Sequence, residues 1–315
     1  MLDPQARAFL DEVAALNVPP AESLPLEEMR ALFERNFTRL GGEPTPVESV
    51  ESVEAPGPRG PIPIRVYHPQ GAEPHAPLLI FYHGGGYVCG SHDSYDAVCR
   101  KLAAESGYVT ASVDYRRAPE HPAPGPGDDA YAAYLWLAAH AGDLGADARR
   151  LAVGGDSAGG GLAAGVALRA RDEAGPPIAH QLLVYPSVGI AGGSASVKKY
   201  GTGHGLTRDR IAFYWRSYVP RPELAALPYV VPDTAETLRG LPPATILMAE
   251  CDPLHDMGVA YAERLRADGV PVELRVYDGM IHAFFSYLAI FDQGRRAVSD
   301  AAAALRTAAQ VGAAS

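Results

Sequence analysis

The sequence is short of cysteine, lysine and long apolar runs, and each shortage excludes something. Cys89, Cys99 and Cys251 are the only cysteines in 315 residues. Three thiols make no disulfide framework, so a reducing, cytoplasmic setting is expected. Only three of the 27 basic side chains are lysine (Lys101, Lys198 and Lys199), and 37 acidic residues bring the net charge to −10. A chain with no basic excess has no footprint for neutralising phosphates, so a nucleic-acid partner is not expected. No stretch approaches the roughly 20 apolar residues that a membrane span requires. The polar opening Met1-Leu2-Asp3-Pro4 lacks the apolar centre of a signal peptide. No H-E-x-x-H or comparable ligand spacing occurs, so no metal site is expected.

What is present points to a large α/β protein. The hydrophobic fraction is 47%, enough for an extensive core. Phe9, Leu10, Val13 and Leu16 fall on one helical face, as do Met29, Leu32, Phe33 and Phe37, with Pro19-Pro20 between the two segments. Residues 1–50 are therefore read as two helices whose apolar faces are most simply core contacts with the main domain, with an N-terminal helical cap over an active site as the alternative. From about residue 60 strands and Ala-rich helices alternate. Ile62, Ile64 and Val66 alternate with polar positions, whereas the runs at 78–82, 109–113, 151–153, 182–184 and 245–248 are continuously apolar. Continuous runs fit strands buried on both faces of a parallel sheet, with helices predicted over 129–140, 162–171 and 259–267. Val272, Leu274 and Val276 mark a final alternating strand. Residues 187–240 break the rhythm with no strand pattern, and are read as a cap insertion between catalytic-domain segments 51–186 and 241–315.

Gly155-Asp156-Ser157-Ala158-Gly159 follows the apolar run 151–153. This G-x-S-x-G pattern suits a sharp strand-to-helix turn that leaves a serine hydroxyl exposed. After the run 78–82 comes His83-Gly84-Gly85-Gly86-Tyr87. Glycines at a strand's carboxyl end let backbone N–H groups approach a ligand, which makes Gly84, Gly85, Gly86 and Ala158 candidate oxyanion donors. A phosphate loop would need Lys followed by Ser or Thr, or G-x-G-x-x-G, and neither is there. Serine needs a base. Downstream of Ser157 stand His180, His204, His255 and His282. His180 precedes a strand and His204 lies in the insertion, while His282 follows the last strand, so His282 is chosen. Asp252, just beyond the run 245–248, is preferred as the acid to Asp256, which suits the first turn of a helix, and to Asp278.

With His83 to Gly86, Asp114-Tyr115-Arg116-Arg117-Ala118-Pro119-Glu120, Gly155 to Gly159, Asp252-Pro253-Leu254 and His282 in this order, the chain resembles the bacterial hormone-sensitive-lipase-like esterases, in the subgroup with aspartate before the serine. The resemblance implies an α/β-hydrolase fold with a helical cap and a Ser157–Asp252–His282 triad. It also implies hydrolysis of short- to medium-chain acyl esters through an acyl-enzyme, without metal or organic cofactor. A small-molecule ester is the expected partner, in a pocket assigned to Tyr87, Asp156, Tyr185, Tyr214 and Ile281. An exposed last strand leaves room for a homodimer. Amidase or lactonase chemistry on the same fold is the alternative. A non-catalytic small-ligand receptor is disfavoured because the histidine is present.

Overall fold

The computed structural model describes residues 1–312. Within them the helices are α1 (Pro4–Ala15), α2 (Leu26–Gly41), α3 (Asp96–Ser106), α4 (Gly125–Ala139), α5 (Ala158–Asp172), α6 (Ala195–Tyr200), α7 (Arg208–Tyr218), α8 (His255–Ala267) and α9 (Asp292–Gly312). The strands are β1 (Ser49–Gly57), β2 (Gly60–His68), β3 (Ala76–Tyr82), β4 (Val109–Val113), β5 (Ala146–Asp156), β6 (His180–Val184), β7 (Ala244–Cys251) and β8 (Val272–Ile281). They form one sheet in the order β1-β2-β4-β3-β5-β6-β7-β8. The β1–β2 and β2–β4 pairs are antiparallel, and the rest are parallel.

Burial explains this arrangement. Every residue of β3, β4 and β6 is buried, as expected of strands covered on both faces. Right-handed crossovers put α3 and α4 on opposite faces, because the chain moves in opposite directions along the sheet from β3 to β4 and from β4 to β5. Helices α3 and α9 pack together on one side, and α4 and α5 on the other. Helix α5 is rich in Gly and Ala and almost wholly buried, so its backbone lies close against the sheet. No helix among the described residues is long and apolar enough to cross a membrane.

Several boundaries differ from the sequence reading, three of them near the site or at the sheet edge. Strand β1 was not expected; it pairs with β2 through the turn at Gly57–Gly60, yet its residues are mostly exposed on both faces and carry no buried periodicity. Helix α4 begins four residues before 129, because a proline in the first turn lacks only an N–H that would have no partner anyway. Strand β8 runs past Val276, the last residue of the alternating pattern, to Ile281, and a register shift between Ala249 and Cys251 pairs Cys251 with Ile281. The two paired residues therefore directly precede Asp252 and His282. The carboxyl ends of β3, β5, β7 and β8, with β6 between β5 and β7, thus deliver the glycine loop, Ser157, Asp252 and His282 to the edge where parallel sheets bind ligands.

Candidate active site

The turn between β5 and α5 sets Ser157, the candidate nucleophile. Ser157 has φ 54° and ψ −118°, a conformation that side-chain-bearing residues rarely adopt. Its N–H donates to the Val184 carbonyl at 2.8 Å, and its own carbonyl accepts from the Gly161 N–H at 3.1 Å and the Ser187 N–H at 2.9 Å. A methyl group on Gly159 would collide with the carbonyl oxygen of Tyr82, so only glycine lets the start of α5 approach the end of β3 this closely.

His282 lies between the serine and a buried acid. Its Nε2 is 2.9 Å from Ser157 Oγ, and its Nδ1 is 2.7 Å from Asp252 Oδ2. Asp252 is fully buried, and its Oδ1 accepts the Leu254 N–H at 2.8 Å. A carboxylate can only accept, so Nδ1 is the protonated nitrogen and Nε2 is left to accept from the serine hydroxyl. The Tyr185 ring packs 4.6 Å from the imidazole, centroid to centroid.

The glycine loop is tied from below. Gly84 N–H donates to Asp156 Oδ1 at 2.7 Å, and the Tyr95 hydroxyl donates to Oδ2 at 3.0 Å. The His83 ring donates from Nδ1 to the Gly84 carbonyl at 2.8 Å, and Tyr115 hydroxyl to the His83 carbonyl at 2.7 Å. Gly85 and Gly86, both at positive φ, have N–H groups with no protein acceptor among the described residues. The Ala158 N–H belongs to the first residue of α5 and has no partner within the helix.

Above these groups is a cavity of about 830 Å³, whose wall includes Gly85, Gly86, Ser157, Ala158 and His282. That volume suits a drug-sized ligand. Residues 9–40 and 187–215 supply most of the remaining wall, and Val13, Leu16, Val18 and Ile190 stand exposed on it. Among the described residues no three His, Cys, Asp or Glu side chains are grouped to hold a metal ion.

Residues 79–286 match a family model described as the alpha/beta hydrolase fold. The chain is 42% identical over 253 residues to the esterase LipI of Mycobacterium tuberculosis, covering 79% of each chain. It is 36% identical over 301 residues to the ethyl acetate hydrolase of Pseudomonas putida, covering 93% of this chain and 94% of that one. An ester hydrolase from the metagenome of Lake Arreo, solved with a bipyridine phosphonate derivative, superposes with a TM-score of 0.95 at 39% identity, over 99% of this chain and 100% of the other. The chain belongs to the α/β-hydrolase family, in its hormone-sensitive-lipase-like branch.

In this α/β-hydrolase, two of the residues picked from sequence stand elsewhere than expected. Gly84 is not a free oxyanion donor, because its N–H is taken by Asp156. Tyr185 is fully buried and backs the His282 ring, away from the cavity wall. Tyr87, Tyr214 and Ile281 do line the cavity. Asp156 also reaches it, but both its oxygens are engaged, so it braces the glycine loop and is not free for a ligand. Tyr95 was missed, and Tyr115 was named only within the Asp114–Glu120 motif; both act through hydroxyls brought in from other segments of the chain. Tyr287, on the cavity wall, was also missed.

Burial pushes the Asp156 carboxyl up from 3.8 to about 6, against the opposing pull of the Tyr95 hydroxyl. The folded state therefore holds this proton more tightly than the unfolded chain. The resulting stability is complete below pH 3.8 and is lost as the pH rises through about 6. Asp156→Asn keeps an acceptor for Gly84 and removes the titration. Urea unfolding should show the variant gaining about 2 kcal/mol on the parent between about pH 4.5 and about pH 7. A difference that does not change with pH would contradict the buried-carboxylate reading.

Proposed function

We propose that the chain is a carboxylesterase in which Ser157, His282 and Asp252 form the catalytic triad. The observation that carries this is the unbroken relay from Ser157 Oγ to His282 at 2.9 Å and on to Asp252 at 2.7 Å, beside three unpartnered N–H groups on a cavity wall. The relatives named as an esterase and as an ethyl acetate hydrolase support an ester as the substrate.

In this mechanism Ser157 Oγ attacks the ester carbonyl as its proton passes to His282 Nε2. Asp252 holds the imidazole in the required tautomer and stabilises its charged form. The oxyanion accepts from the N–H groups of Gly85, Gly86 and Ala158, which are fixed before the substrate arrives and need little reorganisation. Collapse expels the alcohol, which takes the proton from His282. Water then attacks the acyl-enzyme with His282 again as base, and the acid product leaves.

Residues 1–50 and 187–240 act together as the cap in this reading. They share the cavity wall and are bridged by Arg210 Nε donating to Glu22 Oε2 at 3.0 Å. Arg30 fastens α2 to the main domain through the carbonyls of Val88 and Ala118 and the carboxylate of Glu120. Three buried free cysteines support a cytoplasmic setting. The β8 edge, at the end of the sheet, supports a homodimer paired strand to strand across a two-fold axis.

A series of 4-nitrophenyl esters of rising acyl length, with anilide and lactone controls, tests the activity. Short and medium acyl chains should turn over fastest, and Ser157→Ala should lower kcat by about four orders of magnitude or more while remaining folded. Faster turnover of the anilide or lactone, or near-normal ester hydrolysis by Ser157→Ala, would refute the assignment. Sedimentation velocity should give twice the chain mass. A monomer at every concentration would exclude the β8 dimer.

A further inference from the structure

The cavity wall runs against the charge of the chain. The protein carries a net −10, yet Arg35, Arg39, Arg208 and Arg210 all line this cavity. The carboxylates on the same wall are Glu28 and Asp156, and both oxygens of Asp156 are already hydrogen-bonded. Arg35, Arg39 and Arg208 form no ion pair among the described residues. Arg35, Arg39 and Arg208 are solvent-exposed, so they attract anions toward the cavity through a field that salt screens.

Arg210 is the cation best placed to use that field. Its side chain is 29% exposed, and its Nε is held by the Glu22 carboxylate, which the Thr207 hydroxyl also reaches at 3.5 Å. Its two terminal nitrogens have no protein acceptor among the described residues. Arg210 stands one helical turn before Tyr214 on α7, so the two side chains share a face. The Tyr214 ring lies over Gly86, where a Cβ would collide with it. A guanidinium anchored on one edge and open on the other presents parallel donors suited to a planar carboxylate. An apolar ester filling the cavity would desolvate those donors without replacing the hydrogen bonds they lose.

We infer that this cavity selects esters that carry a free carboxylate a short spacer away from the scissile bond, with Arg210 binding the carboxylate and Arg208 adding to the attraction. The inference rests on the ester-hydrolase reading above and names its substrate class.

Two matched pairs of probes test it, one for each side of the ester: mono-4-nitrophenyl adipate against 4-nitrophenyl adipamate, and 4-acetoxybenzoate against 4-acetoxybenzamide, all followed by phenol release. In at least one pair kcat/KM should favour the anion about tenfold or more, mainly through KM. That ratio should fall about threefold or more between about 20 mM and about 500 mM salt. Arg210→Gln should abolish the preference, Arg210→Lys should keep part of it, and Glu22→Gln, which leaves the guanidinium in place, should retain or raise it. Ratios at or below one in the parent overturn the inference. So does a preference that survives Arg210→Gln, or one lost equally in Glu22→Gln, which would assign the effect to the bridge between the cap pieces. If 4-nitrophenyl acetate is cleaved while these tests fail, only the carboxylate preference falls. If no ester is cleaved, the ester-hydrolase reading falls with it.

Discussion

The left-handed backbone at Ser157 is the constraint on which the rest of the site depends. A non-glycine residue at φ 54° and ψ −118° costs on the order of 1–3 kcal/mol, and persists only where its surroundings over-determine it. Here three backbone hydrogen bonds, to Val184, Gly161 and Ser187, hold the peptide from both sides. Gly159 lets the first turn of α5 press against the end of β3. Ser157, Ala158, Gly85 and Gly86 line the same cavity.

Asp156 joins the two halves of this arrangement. It is the last residue of β5, and its carboxylate accepts the N–H of Gly84 and the hydroxyl of Tyr95. The elbow and the glycine loop are thus fixed to each other through one buried side chain whose pKa is raised by its burial. His83 and Tyr115 fix the loop from the other side. The bracing hydrogen bonds go to the N–H and carbonyl of Gly84, while the N–H groups of Gly85 and Gly86 have no protein acceptor among the described residues.

Much of this was legible in the sequence, and for identifiable reasons. Buried parallel strands read as unbroken apolar runs, so β3 to β7 and their carboxyl ends could be located, and with them the order of Ser157, Asp252 and His282. Strand β1 escaped because its faces are mostly solvated. Gly84 could not be separated from Gly85 and Gly86, since three identical residues differ only in what their N–H groups meet in space. Tyr185, assigned to the pocket, is instead fully buried with its ring packed against His282. Tyr95 lies 61 residues before Asp156 in the chain, and no local pattern signals that pairing. Residues 1–50 and 187–240 were set apart by their lack of strand periodicity, but the charge on the cavity wall they share emerges only once both are folded over the serine.

Ser157 Oγ, as the proposed nucleophile, should form a covalent bond to an acylating or phosphonylating reagent. A 4-nitrophenyl alkylphosphonate should inactivate the enzyme with release of one nitrophenol per chain, and peptide mass mapping should find the phosphonyl group on the peptide bearing Ser157. His282→Ala should slow that labelling by orders of magnitude, since the serine and histidine act as a unit. An adduct on another residue, or full esterase activity with Ser157 phosphonylated, would contradict that role for Ser157.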